Sequence, residues 1–401
     1  MKIHNAEFDA IVVGAGPAGS VAAEALARAS LRVALIEEHP AIGVPNHCSG
    51  LVSPRTLELA RVTEEAVGLV RFSHARVWGP GGQSLWLRSN GVQAIAVDRT
   101  RFDQTLAERA VNAGTILMLG TQVCHLERSA EWVQVVAQTE KGRVQLHASL
   151  LIGADGAGSQ VARWMGTKHK HETIPVVKAD LACRGCQPES IEIFVGNHVA
   201  PGWFGWVIPM PDGTARVGLG ATRSPQRYLE PFLHLIRLRF GDFVVQEVRQ
   251  AALPLGPARD VVADRVMLVG AAARQTKPTT GGGIYLGIRA ALLAATTAVK
   301  AIEQGDCSCR RLAEYEQAWQ QLEGRELLYG HWLRNVFRHL SDRDFNLLIE
   351  LLGKPQAQGL ISRLGDIDYP SRLFLPLMAT LRKRAVPPRG VEALALASQT
   401  T

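Results

Sequence analysis

Long apolar runs are missing from this 401-residue chain. No window approaches the ~18 uninterrupted apolar residues of a membrane-spanning helix, so none is expected. Cysteine is sparse, six residues at irregular spacing, which excludes a disulfide framework. Cys183-Arg184-Gly185-Cys186 has no second pair at zinc spacing, so no metal site is expected. An acidic excess is also missing. The net charge of +7 is mild for this length and suits an anionic ligand or a membrane surface as well as nucleic acid, so it selects none of them. There is no Walker motif, nucleophile elbow or nucleic-acid recognition motif, and no nucleic-acid partner is expected. Lys168-His169-Lys170-His171 reads as a solvated loop. Glu7 and Asp9 interrupt the opening residues, which run straight into a glycine turn, so no secretory signal is legible. The expectation is a cytoplasmic, reducing environment, with a peripheral membrane contact left open.

With 47% hydrophobic and 20% charged residues, the chain can bury a large core and is neither disordered nor collagen-like. At roughly 150 residues per domain, its length predicts two to three domains. The first chemical signal is N-terminal. Phe8 to Val13 is a β-rich apolar run leading into Gly14-Ala15-Gly16-Pro17-Ala18-Gly19, an alanine-rich helical stretch, and a second buried-strand pattern over Arg32 to Ile36 that ends in Glu37. This strand–turn–helix–strand order is that of a dinucleotide site. Gly14 permits the tight turn, Gly16 lets the backbone approach a pyrophosphate at the helix N-terminus, and Gly19 lets helix and strand pack closely. Glu37 is suited to accept hydrogen bonds from ribose hydroxyls. The motif alone does not separate FAD from NAD.

Two later turns decide for FAD. Ser149 to Ile152 ends in Gly153-Ala154-Asp155-Gly156-Ala157-Gly158-Ser159. Val266 to Val269 ends in Gly270-Ala271-Ala272-Ala273, followed by Lys277-Pro278-Thr279-Thr280-Gly281-Gly282-Gly283 and a helical pattern from Ile284. The chain thus leaves the nucleotide domain and returns to it. A helix starting at Gly282 or Gly283 would aim free N–H groups at the flavin N1/O2 edge and stabilise the anionic reduced flavin.

With these motifs the chain resembles the geranylgeranyl reductase family. These FAD-dependent enzymes saturate double bonds of isoprenoid chains and share the para-hydroxybenzoate hydroxylase fold. The resemblance is carried by the glycine turns, by Gly43-Val44-Pro45-Asn46-His47-Cys48-Ser49-Gly50, by Arg99-Thr100-Arg101-Phe102-Asp103 and by Pro201-Gly202-Trp203-Phe204-Gly205-Trp206. It spans roughly residues 8–300. It implies an α/β (overall α+β) fold with a Rossmann-type FAD-binding domain over 1–70, 95–165 and 260–300. An antiparallel β-sheet substrate domain would cover 71–94 and 166–259, and a helical region 301–401. It implies FAD contacts at Ala18, Glu37, Cys48, Ser49, Gly50, Arg99, Val123, Gly283 and Ile284. The glycine turns add Gly14, Gly16, Gly19, Asp155, Gly270, Ala271 and Gly282. Pro201, Phe204 and Trp206 would line the substrate. Two stretches depart from the family pattern. Ala271 and Arg274 stand where the family has Asp and Gly, and Phe204 stands where it has Tyr.

An isolated trisubstituted alkene has no carbonyl to polarise it. Hydride transfer therefore needs a proton delivered to the other carbon, inside a pocket that excludes water. Cys48 has two open roles, as that acid or as a small apolar side chain packed on the flavin. The expected function is reduction of geranylgeranyl or other isoprenoid groups on a lipid, quinone or pigment precursor. The alternative is an aromatic or lipid monooxygenase of the same fold, and a third reading is a flavin-binding relic prompted by Ala271. With no second dinucleotide fingerprint, electrons come from transiently bound NAD(P)H or from a ferredoxin-like protein. After residue 301, apolar residues recur at helical spacing, and Trp319, Leu328, Trp332, Leu333, Val336 and Phe337 are expected on one face. Such helices would pack on the body, cap the channel, meet another copy, or touch a membrane through Arg382-Lys383-Arg384. The tail from Pro387 reads as disordered.

Overall fold

Apolar segments far apart in the chain come together as neighbouring parallel strands. The computed structural model describes residues 5–167, 172–186, 189–374 and 376. The Lys168–His171 run, Arg382-Lys383-Arg384 and the tail from Pro387 lie outside them. Among the described residues, one sheet comprises β1 (Asn5–Val13), β2 (Val33–Ile36), β8 (Ile116–Met118), β9 (Gln122–Arg128), β10 (Val133–Thr139), β11 (Gly142–Gly153), β17 (Val262–Ala263) and β18 (Val266–Leu268). Its spine runs β18-β11-β1-β2-β8, all parallel, with Val13 opposite Gly153 on one side and Ile36 on the other. All four residues of β2 are buried, as a parallel strand covered on both faces requires.

A second sheet orders β16 (Val244–Leu255), β12 (Glu172–Ala182), β15 (Thr214–Gly220), β14 (Phe204–Pro209), β13 (Ile191–Val195), β5 (His74–Trp78) and β6 (Ser84–Arg88). Its pairings are antiparallel except β5 with β13. A third, small sheet joins β3 (Leu51–Val52), β7 (Ala94–Val97) and β4 (Gly68–Phe72).

The helices are α1 (Pro17–Arg28), α2 (Pro54–Ala60), α3 (Glu64–Val67), α4 (Arg99–Asn112), α5 (Gln160–Trp164), α6 (Gln226–Phe240), α7 (Ile284–Glu303), α8 (Cys309–Phe337), α9 (Asp342–Leu352) and α10 (Pro355–Leu364). Pro17 sits at the first position of α1, where its missing N–H costs nothing. α1 packs against α4 and α7. Of the described helices, α7 alone is long and apolar enough to cross a membrane, yet it lies in the core between α1 and α8.

The C-terminal helices pack on the body, tied by ion pairs. Arg289 of α7 meets Glu323 of α8, Arg55 meets Asp366 at 2.9 Å, and Lys277 meets Asp368 at 2.9 Å. The single apolar face expected on α8 does not exist. Trp319 is fully buried, whereas Leu328, Val336 and Phe337 are exposed. Only one side of this 29-residue helix is buried, through Tyr315, Trp319, Leu327 and Arg334, and Leu328, Val336 and Phe337 lie off that side. Cys183 and Cys186 are joined in a disulfide.

Candidate functional site

The three glycine turns converge at the carboxyl ends of β1, β11 and β18. Ala154 donates its N–H to Val13 O at 2.7 Å, and Val269 to Gly153 O at 2.9 Å. Gly14 has φ +99°, and a Cβ there would stand 2.5 Å from Ala154 O. A Cβ on Gly19 would overlap the Gly14 carbonyl oxygen. A Cβ on Gly270 would come 3.1 Å from the Ala18 Cβ, and one on Gly287 3.2 Å from the Gly270 Cα. Ala18, Gly270 and Gly287 therefore form one close-packed contact between α1, the late turn and α7. Gly16, by contrast, has nothing within 4 Å of its Cβ position, so a ligand can reach its backbone.

Among the described residues, no protein acceptor takes the amides of Gly16, Ala18 and Gly19, or those of Gly283 and Ile284 at the start of α7. Gly283 is the α7 N-cap, and the Gly282 carbonyl accepts from Lys277 N at 3.0 Å. Two free amide rows at helix N-termini, one beside an open glycine backbone, fit the pyrophosphate and the flavin edge of FAD.

Glu37 lies at the end of β2. One carboxylate oxygen accepts the Ala15 amide at 2.9 Å, and the other accepts from the His39 amide at 3.1 Å. Thr121 donates to Glu37 O at 2.9 Å, which brings the start of β9, with buried Val123, alongside. Asp155 is committed to α5, accepting from Ser159 Oγ at 2.6 Å, Gln160 N at 2.7 Å and Val161 N at 3.1 Å. Its carboxylate is therefore a helix cap as well as part of the turn. Ala271 lies in the 3-10 turn Gly270–Ala273. Arg274, where the family has Gly, adopts the left-handed conformation that ends this turn, φ +59°.

Arg99 is buried, and its guanidinium grips Asp103 at 2.8 and 2.9 Å instead of reaching outward. Burial opposes its charge, but Asp103 and Cys48 outweigh that and hold its pKa above the ordinary range. It borders the Cys48 turn, its Cγ lying 3.2 Å from a Cβ placed on Gly50. Cys48 N donates to Asn46 Oδ1 at 3.0 Å, and Gly50 N to Cys48 Sγ at 3.4 Å. The carbonyl of Ser49, between them, accepts from Arg216 Nη1 at 2.9 Å.

The aromatic segment faces this ensemble. Phe204 and Trp206 alternate along β14. Trp203 stacks on Phe204 at 5.2 Å between ring centres, and Phe204 meets Trp206 edge-on at 6.0 Å. A Cβ on Gly281 would lie 3.4 Å from the Trp203 ring and 2.8 Å from Leu253, so the wall abuts the glycine run before α7. Pro201 stands behind it, its carbonyl accepting from Thr222 N at 3.0 Å.

The sequence reading missed two sets of residues. Gln275 is wholly buried. It accepts the Gly270 amide at 2.6 Å and donates to Tyr315 OH at 2.7 Å, and Tyr315 in turn donates to Leu268 O at 2.9 Å. Lys178 and Arg249 also reach the Cys48 turn, along with Arg216. The one hint in the sequence was a lysine inside the apolar run of β12, at Val176-Val177-Lys178-Ala179.

The family described as "FAD binding domain" matches residues 7–323. A digeranylgeranylglycerophospholipid reductase of Methanothrix thermoacetophila is 33% identical over 352 residues, covering 85% of this chain and 90% of that protein. Another, from Methanococcoides burtonii, is 33% identical over 388 residues, covering 94% and 92%. The solved structure of a geranylgeranyl bacteriochlorophyll reductase-like protein from Thermoplasma acidophilum has a TM-score of 0.86 at 23% identity, covering 95% of this chain and all of that one. A p-nitrophenol 4-monooxygenase from Pseudomonas putida has a TM-score of 0.70 at 16% identity, over 96% of this chain and all of that one, and shares the fold. The protein is thus an FAD-dependent oxidoreductase with the para-hydroxybenzoate hydroxylase type of architecture. Within that class, it belongs to the geranylgeranyl reductase family.

Proposed function

We propose that this protein saturates carbon–carbon double bonds of geranylgeranyl chains borne on a glycerophospholipid. The observation that carries this reading is its likeness, along most of its length, to reductases named for that substrate. Hydride donation is the chemistry that bound, reduced FAD supplies. The chain's own residues do the rest. The amide rows of α1 and α7 bind and orient negative charge. Trp203, Phe204 and Trp206 offer an apolar, water-excluding wall for the prenyl chain. Cys48 Sγ is the candidate proton donor to the second alkene carbon, with the Gly50 N–H directed at the sulfur. NAD(P)H or a ferredoxin-like protein supplies the electrons. A substrate of this kind brings the enzyme to the cytoplasmic membrane surface as a peripheral protein.

Anaerobic incubation of the holoprotein with a chemical reductant and a digeranylgeranyl phospholipid tests the reading. Mass spectrometry of the lipid should show the gain of two hydrogens per reduced bond. An absolute oxygen requirement with a hydroxylated product would assign the chain to the monooxygenases instead.

A further inference from the structure

The turn carrying Cys48 hangs on the seven-stranded sheet by cations. Among the described residues, its carbonyls at Asn46, Cys48 and Ser49 take no backbone amide. Arg249 Nη1 donates to the first at 2.8 Å, Lys178 Nζ to the second at 3.1 Å and Arg216 Nη1 to the third at 2.9 Å. Arg216 Nη1 also reaches Val97 O at 2.9 Å. The donors come from β16, β12 and β15, three adjacent strands. Lys178 is paired with Arg249 on one side and with Gly218 on the other, and Gly218 is paired with Trp206. One rung thus reads Trp206, Gly218, Lys178, Arg249, and side chains of one rung share a face of the sheet. Lys178 and Arg249 thus share a row with Trp206, and Arg216, opposite Asp180 and Ile208, stands two residues along on the same face.

Packing alone does not account for this row. Like charges directly opposite each other repel. Lys178 is only 4% exposed, and its nearest carboxylate, Asp180, is 3.8 Å away. Burial pulls its pKa below the ordinary lysine value, with partial relief from Asp180 and Cys48. A hydrocarbon side chain would fill the same space without desolvating an ammonium. What the three cations add is direction, because each fixes one carbonyl of a turn that has no backbone ladder there.

We propose that Lys178, acting with Arg216 and Arg249, is a positioning residue for the reductase reaction. The three hold the Asn46–Ser49 backbone against the sheet face that carries Trp206 and so set where the Cys48 thiol stands relative to the aromatic wall. This rests on the reading of the Cys48 turn as part of the reductase site.

The test follows residue-specific alkylation of Cys48 in the holoprotein by iodoacetamide, using peptide mass mapping as a function of pH. Steady-state kinetics on the prenyl phospholipid, FAD affinity and thermal melting run alongside. In Lys178→Met the alkylation rate at Cys48 should change about threefold or more, with a displaced pH profile. kcat should fall roughly tenfold to a hundredfold with KM nearly unchanged, the signature of a misplaced group. Lys178→Arg, which keeps a cation of similar reach, should restore both. Arg249→Met, whose parent side chain is 25% exposed, should show the same pattern more weakly and serves as the test variant if Lys178→Met does not fold. The proposal is overturned if neither methionine variant alters Cys48 alkylation, or if activity is lost only in step with melting temperature and FAD affinity and arginine does not rescue it. The alkylation arm needs no substrate. Failure of the wild-type protein to reduce the lipid therefore counts against the proposed function and leaves this inference to its own readout.

Discussion

Arg334 of α8 lies over the indole of Trp203, its guanidinium carbon 4.5 Å from the ring centre, while Nε and Nη2 hold the two oxygens of Glu172 at 2.9 and 2.5 Å. Nη1 donates to Gly202 O at 2.9 Å. A helix from the end of the chain thus sets the back of the aromatic wall, and a residue at the start of β12 keeps that helix in register.

Hydrogen bonding from Arg334, aided by the charges of Arg334, Arg338 and His331, holds the Glu172 carboxyl below its usual 4.5 despite partial burial. A depressed folded pKa gives stability that is present above the unfolded value and lost as pH falls through the folded one. Glu172→Gln should therefore cost about 1 kcal/mol at neutral pH, discounted for solvent screening. The gap to wild type should close progressively below pH 4.5. Thermal melts of both proteins over an acid series check this, and a pH-independent gap would refute it.

Gly16 and Gly19 should separate binding from folding. A Cβ on Gly19 collides with the Gly14 carbonyl, whereas one on Gly16 meets no protein atom. Gly19→Ala should lose on the order of 2 kcal/mol of stability along with FAD affinity. Gly16→Ala should melt like wild type without the cofactor, yet bind FAD roughly tenfold more weakly. Calorimetric titration and melts of the apoprotein distinguish the two. Equal stability loss in both variants would contradict the assignment.

Gly218 makes room for Trp206, since a Cβ there would overlap the indole. Gly218→Ala should push the wall inward, raising KM for a geranylgeranyl substrate by roughly tenfold while FAD affinity holds. Steady-state kinetics beside a flavin titration reads both quantities, and an unchanged KM would remove Trp206 from the substrate wall.

Lys277, inside the glycine-rich run, donates to Asp368 Oδ1 and to Ile367 O, each at 2.9 Å, and Asp368 is only 1% exposed. Among the described residues, Lys277→Met leaves the buried Asp368 carboxylate only Arg55, at 3.7 Å, and should cost on the order of 1–3 kcal/mol. Adding Asp368→Asn should recover most of that loss. Denaturant unfolding of the two single variants and the double variant gives the coupling. Strict additivity would mean that the pair contributes nothing beyond its parts.

The nucleotide half of this molecule was legible because its signals are local. An apolar strand, a glycine turn and an alanine-rich helix follow one another within the first few dozen residues, and each glycine has a steric reason that spacing alone reveals. The same logic located the turn at Asp155 and the start of α7 at Ile284. It did less well on α8, where helical spacing marked apolar residues but did not say which side of the helix the core takes. Trp319 and Leu327 face that core, and Leu328 faces away from it. The pairing of Arg99 with Asp103, one helical turn on, was not read from the sequence either.

The order of residues by itself determined that the chain builds a dinucleotide-binding strand–turn–helix, returns to it twice, and presents an aromatic β segment. Those properties depend on periodicity and on the room glycine leaves, which neighbours in the chain specify. Only the tertiary structure decided that Tyr315 holds Gln275, which braces Gly270, and that three cations on adjacent strands hold the Cys48 turn. The contacts of Tyr315 with Gln275 and of the cations with the Cys48 turn join residues dozens to hundreds of positions apart. Strand order and register create them, and no local pattern encodes either.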